Sequence, residues 1–305
     1  MSKQLDFFSA SVSHVEKATQ AIIEFDFDRA QWELRSAYEI DPYTVNLGAL
    51  FEIIEFFKEC IDAQADLGEN LATLWWRIPN AVIAKQLTCK QAQLTDQYIT
   101  KIAIKKIRAE EQFIDEKKKL PWGALFIVDK EYTRARKLLM QTIECHPRER
   151  ADLWCYYADA CYLLGRHREA RAAYVKAMLI NSRDMDFFRL RNENFRDIYE
   201  KLLLLYPREQ AQAMFLFQLW MSEVLELPDF QVAQIEALIG REKAMSTAGQ
   251  AVPDRLHHFC LCFVLAQELS GDEKYLYREK MQQLAPELFD RYINRLKRDE
   301  NRLSF

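Results

Sequence analysis

Glycine and proline are scarce: the 305-residue chain holds only 7 Gly and 8 Pro, whereas glycine alone averages about 7% of ordinary globular sequences. Sandwiches, barrels and Rossmann sheets need glycine at many tight connections, so the shortage argues against each of them. No stretch reaches the roughly 18 apolar residues that a membrane span requires. The first residues, MSKQLDFFSASVSHVEK, interrupt their apolar positions with Asp6, His14 and Glu16, unlike a secretory leader. Neither sign of charge dominates, since 42 Lys and Arg against 46 Asp and Glu leave a formal −4, and no general affinity for nucleic acid follows. The seven glycines nowhere cluster into a phosphate-binding loop, and neither GxSxG nor HExxH occurs, so no nucleotide site, cofactor or catalytic constellation is expected. Seven cysteines, an odd number, are spread through apolar surroundings, which fits reduced core thiols of a cytoplasmic protein better than a disulfide framework.

What is present is helical periodicity. Apolar residues recur at three- and four-residue spacing, as in Ile22, Phe25, Ala30, Leu34 and Ala37, and sustained two-residue alternation is missing. The pattern predicts helices near 6–24, 27–40, 44–66, 69–78, 81–117, 149–164, 167–181, 185–205 and 254–269, among others. Asp41-Pro42, His146-Pro147, Tyr206-Pro207, Leu227-Pro228 and Ala285-Pro286 mark helix ends, because the residue before proline is pushed out of helical geometry. Gly165 and Gly271 are placed to adopt the left-handed conformation between two helices, and 241–253 reads as a looser loop. The segment 81–119 is long, charged and sparse in apolar positions, and predicts one extended helix solvated over most of its surface.

Small residues recur at a spacing of twelve: Ala158, Ala170 and Ser182; Gly123, Ala135 and Pro147; Ala18, Ala30 and Pro42. In each trio the first two positions let antiparallel helices approach closely, and the third falls where the second helix should stop. With Trp154, Tyr157, Cys161, Tyr174 and Ala177 at their places, the stretch 151–184 resembles one tetratricopeptide repeat. The units 116–149 and 11–44 are similar, the first through Trp122, Gly123, Phe126, Ala135, Leu139 and Pro147, the second through Ala18, Ala30, Leu34, Ala37 and Pro42. The start of 151–184 follows that of 116–149 by 35 residues, close to the family's period of about 34. The resemblance implies an all-α fold of antiparallel helical hairpins stacked as a superhelical solenoid. Its expected organisation is an N-terminal helical region with one degenerate hairpin (1–80), a long charged helix (81–119), a helical array (120–240), and a C-terminal hairpin with a terminal helix (241–305).

Arrays of this kind present a concave groove to other proteins. The resemblance places Lys117, Leu120, Ala124 and Ile127 on that face in one unit, and Asp152, Cys155, Tyr156, Asp159, Tyr162 and Leu163 in the next. Two aspartates there disfavour a clamp for a partner's terminal carboxylate, and an apolar, aromatic or basic segment suits the face better. The tyrosines equally suit packing against an adjacent helix. The string His257-His258-Phe259-Cys260-Leu261-Cys262 offers two ligand pairs on different helix faces, short of four converging zinc ligands. Trp75-Trp76 reads either as a recognition patch or as a core anchor. The expectation is a non-enzymatic adaptor or scaffold for a protein or peptide partner, without metal, nucleic acid or membrane insertion. The alternative is a regulatory helical-repeat protein sensing a peptide or small molecule.

Overall fold

The computed structural model describes residues 2–62, 65, 67–107, 121–146, 149–228, 232–245 and 251–303. Among these the regular elements are all helical, and the chain divides into two compact units, Met1–Glu131 and Tyr132–Phe305. Among the described residues no helix is long and apolar enough to cross a membrane.

The first unit contains α1 (Ser2–Ile23), α2 (Phe27–Ile40), α3 (Leu47–Cys60), α4 (Leu67–Ile83), α5 (Cys89–Ile107) and α6 (Trp122–Val128). Helices α1 and α2 pack along one another, with Ala18, Ala21 and Ile22 facing Ala30, Leu34 and Ala37 at zero exposure. The three-residue connection is closed by Phe25 in left-handed conformation and by Asp26, whose Oδ1 accepts the Arg29 N–H at 3.0 Å and caps α2. Such a cap satisfies one of the donors a helix start leaves open.

The single helix expected over 81–117 is two features. Helix α4 runs through Pro79 to Ile83 and ends at Lys85, whose φ is 58°. Thr88 and Gln91 then begin α5 with reciprocal bonds: the Thr88 N–H donates to Gln91 Oε1 at 2.6 Å and the Gln91 N–H to Thr88 Oγ1 at 3.3 Å. This T-x-x-Q capping box is a strong helix start. Nor is α5 mainly solvated. It buries Ala92, Ile99, Ile102 and Ala103, together with the polar Gln91, Thr95, Asp96 and Thr100, against α1, α3, α4 and α6. Residues 108–120, including the rest of the charged segment, lie outside the described residues.

The second unit contains α7 (Tyr132–Cys145), α8 (Ala151–Leu163), α9 (His167–Asn181), a short 3-10 turn (Ser182–Asp184), α10 (Glu193–Leu203), α11 (Arg208–Ala213), α12 (Phe215–Met221), α13 (Val232–Met245), α14 (Val252–Glu268), α15 (Gly271–Leu284) and α16 (Pro286–Leu303). Helices α8 and α9 form a tight pair, with Ala158, Ala170, Ala173 and Ala177 buried between bulkier neighbours and Gly165 turning the chain at φ +73°. Gly271 likewise sits at φ +59°. Every small residue expected at a close helix contact is buried: Ala18, Ala30, Gly123, Ala135, Ala158 and Ala170. Gly123 and Ala135 nevertheless fall in different units, on α6 and α7. Helix α14 is buried all round from Leu256 to Ala266, where Phe259 and Phe263 meet Phe217 edge to face.

The loop expected at 241–253 is shorter, because α13 continues to Met245 and α14 starts at Val252; 246–250 lie outside the described residues. The helix expected over 185–205 begins only at Glu193, where the Asn192 side chain accepts the Phe195 N–H at 3.3 Å. Before it, Met185–Arg191 is irregular, with Asp186 accepting the Arg189 N–H at 3.2 Å, an Asx-type turn that competes with helix.

Candidate functional site

Helix α8 carries most of the side chains expected to line a groove, and its own chain covers them. Asp152, Cys155, Tyr156 and Asp159 are 7%, 0%, 2% and 1% exposed. The irregular segment after α9 supplies the cover, with Met185, Phe187 and Leu190 buried against the same core and Phe187 stacked on Tyr199 at 4.0 Å. The Tyr156 hydroxyl donates to Asp186 Oδ2 at 2.5 Å, and Arg189 Nη1 donates to the same oxygen at 2.8 Å. Asp159 Oδ1 accepts the Arg191 N–H at 2.9 Å and also the Tyr174 hydroxyl. Arg150 Nη2 meets Asp152 Oδ2 at 2.5 Å. Tyr162 and Leu163 are half-buried, Ala124 and Ile127 are buried, and Lys117 and Leu120 lie outside the described residues. Of the residues expected on an open face, Ala124, Ile127, Asp152, Cys155, Tyr156 and Asp159 are interior.

The chemistry of this region suits a structural lock. Burial pushes the Asp159 carboxyl up to about 7, even though Tyr174 and Arg191 stabilise its charge. The Cys155 thiol is driven well above its ordinary value by burial and then by Asp159, Asp186 and Asp152, so it is not a thiolate nucleophile at neutral pH. On the opposite side of α8 the Tyr157 hydroxyl donates to Glu169, which also accepts from Arg136 at 2.9 Å and Arg166 at 3.3 Å. Partial burial raises the Glu169 pKa, but these three donors outweigh it and carry the group down to about 2. One carboxylate thus ties α7, α8 and α9 together.

The histidine and cysteine string on α14 is interior as well, with His257, His258, Cys260 and Cys262 between 0% and 7% exposed. Burial, with Arg183 and His258 nearby, lowers His257 to about 4. The Cys260 thiol contacts the Ala213 carbonyl at 3.3 Å. Among the described residues no group of three His, Cys, Asp or Glu side chains is placed to hold a metal ion. Trp75 is fully buried, in keeping with a core anchor.

Exposed apolar side chains are found elsewhere. In the first unit Trp32 is 60%, Tyr38 55%, Tyr43 92% and Val45 73% exposed. Trp32 and Tyr38 belong to α2, and Tyr43 and Val45 to the turn that follows it. That turn is pinned along its length: the Tyr43 N–H donates to Asp41 Oδ1 at 3.0 Å, Thr44 Oγ1 donates to Ser11 of α1 at 2.9 Å, and Lys90 of α5 reaches Asn46 at 3.4 Å. In the second unit the consecutive Leu203, Leu204 and Leu205 are 42%, 84% and 75% exposed at the end of α10. Neither cluster is legible from periodicity. Tyr43 follows a helix-ending proline and reads only as loop, and a run of four leucines does not say that Leu202 alone, 3% exposed, faces the core. No protein-family model matches the chain, and no curated protein or solved structure matches it.

Proposed function

We propose that this chain is a non-enzymatic adaptor or scaffold, built from tetratricopeptide-like helical hairpins and working in the cytoplasm, that binds a segment of a protein partner. The observation that carries the reading is the turn after α2. It uses side-chain hydrogen bonds to fix its backbone and yet leaves Tyr43 92% exposed. A large aromatic held out in water by an ordered backbone has little conformational freedom left to lose on binding, which is why Tyr and Trp dominate binding hot spots. Trp32 and Tyr38 lie on the adjoining helix, all within fourteen residues of chain. The partner surface is thus assigned to the first hairpin and its following turn, and not to the covered face of α8. Affinity capture from a cell lysate tests it. The wild-type chain should retain a stoichiometric protein partner, and the double variant Trp32→Ala with Tyr43→Ala should lose it while keeping its melting temperature. Undiminished capture by that variant removes the assignment.

A further inference from the structure

The charge around this turn is one-sided, and that names the partner's chemistry. Between Glu24 and Glu59 the chain places nine carboxylates and three basic side chains, a formal −6 within a molecule whose total is −4. Two of the three bases are engaged at the near end, Arg29 with Glu24 at 3.5 Å and Lys58 with Asp28 at 3.0 Å. The third, Arg35, is exposed on α2. From Ser36 to Phe57 the sequence contains Glu39, Asp41, Glu52 and Glu55 and no Lys or Arg at all. The exposed Tyr38 and Tyr43 fall inside this stretch. Helix α2 also ends here, at Ile40, directing the negative end of its dipole toward the turn. From α5, Lys90 contacts Asn46 at 3.4 Å.

Resting on the partner-binding reading above, we infer that the end of the first hairpin, formed by Tyr38, Glu39, Asp41, Tyr43 and Val45, docks a lysine- or arginine-bearing segment of a protein. Aromatic faces attract the cationic heads, the carboxylates and helix terminus hold them by charge, and Val45 with the tyrosine rings covers the aliphatic stems of the same residues. An acidic segment would meet these carboxylates and the helix terminus as like charge, which costs affinity and slows encounter.

The test uses the full-length chain and two short synthetic peptides, one alternating lysine and leucine and the other glutamate and leucine, titrated by calorimetry. The wild type should bind the lysine peptide, more weakly as salt is raised, and should not bind the glutamate peptide. Tyr43→Ala and Glu39→Lys should each weaken the lysine peptide by about tenfold or more. Both positions are exposed, so an unchanged melting temperature separates lost binding from lost folding. Equal binding of the two peptides, no binding of the lysine peptide, or full binding by Tyr43→Ala overturns the inference. Excess lysine peptide should also displace the partner retained in the capture experiment. A partner that stays bound overturns the basic-segment inference and leaves the partner-binding reading in place, whereas peptide binding with no partner captured overturns the reading itself.

Discussion

Asp159 and His257 are both interior to the second unit, and burial moves them in opposite directions, to about 7 and about 4. Their ordinary values are 3.8 and 6.5. Between pH 4 and 6.5 Asp159 is protonated in the native state and ionised in the unfolded chain, so the native state binds more protons and stability falls as pH rises. His257 does the reverse: it is neutral in the native state and protonated when unfolded, so its contribution is lost as pH falls from the unfolded value toward about 4. The two slopes nearly cancel over this window. At about 1.36 kcal/mol per pH unit of displacement, the opposing terms are roughly 4 and 3 kcal/mol. Asp159→Asn should therefore expose the histidine alone. The amide oxygen can still accept from Tyr174 and the Arg191 N–H, and stability measured by urea denaturation should climb by roughly 3 kcal/mol between pH 4 and 6.5. A wild-type chain that is flat in this range and a variant that is equally flat would show that burial does not displace these groups as described. The same residue shows where sequence reasoning stopped. An aspartate on the expected groove face of a helix gives no sign that a later irregular segment, Met185–Arg191, will bury it, because the burial comes from tertiary contact and not from the residue's own helix.

At the scale of the element, the shortage of glycine is answered by strained caps. Among the described residues five helices end in the same hydrogen-bonded pattern, in which the residue after the cap takes a positive φ and the next N–H reaches back five residues. Lys130 and Glu131 show it clearly: Lys130, at φ 64°, donates to Ile127 O at 3.2 Å, and Glu131 donates to Phe126 O at 2.9 Å. Phe25, Lys85, Gly165 and Glu223 hold the equivalent position after α1, α4, α8 and α12. Only Gly165 is the residue that this Schellman geometry favours; periodicity places breaks at Phe25 and Lys130 as well, but not at Lys85 or Glu223. Glycine and proline mark turns reliably when present, but Lys85 and Glu223 look like ordinary helix residues and so helix ends there pass unnoticed. The helix pairing itself was legible because the alanines at close contacts answer a local requirement, the space between two backbones. Lys85→Gly and Lys130→Gly should each relieve left-handed strain of about 1–2 kcal/mol against a glycine entropy cost of about 0.5–1. A net gain of roughly 0.5–1 kcal/mol per site should appear as a higher denaturation midpoint with unchanged denaturant dependence. A loss of stability at these exposed positions would mean that the lysine stems contribute packing that outweighs the strain.

At the scale of the whole molecule, each compact unit has its own set of buried apolar side chains. In the first, Leu34, Ile54, Phe57, Trp75 and Ile99 are all at zero exposure. In the second, the rings of Phe187, Phe195, Tyr199 and Phe215 form one cluster, and those of Phe217, Trp220, Phe259, Phe263 and Tyr292 another, around the wholly buried middle of α14. By composition, 81–119 stands apart for its charge. Helix α5 shows why composition misleads there: its buried face includes Gln91, Thr95, Asp96 and Thr100, polar residues that hydrophobic periodicity discounts. Polar residues pack inside where they find partners, as Thr95 does on the Gln91 carbonyl at 2.8 Å and Gln91 does on Glu52. Because burial of apolar side chains is the main stabilising term, a boundary that leaves both cores intact should yield two folding units. The chain divided between Glu131 and Tyr132 should give a C-terminal piece that is helical by circular dichroism and unfolds in one cooperative transition. The N-terminal piece should keep the lysine-peptide binding assigned to the turn at Tyr43, since the bonds that pin this turn come from the turn itself, α1 and α5. A division placed at residue 80 instead should fail, because it strips α5 from the first core and removes Lys90 from Asn46. If the piece ending at 80 folds and binds as tightly as the piece ending at Glu131, the unit boundary and the pinned turn are both wrongly drawn.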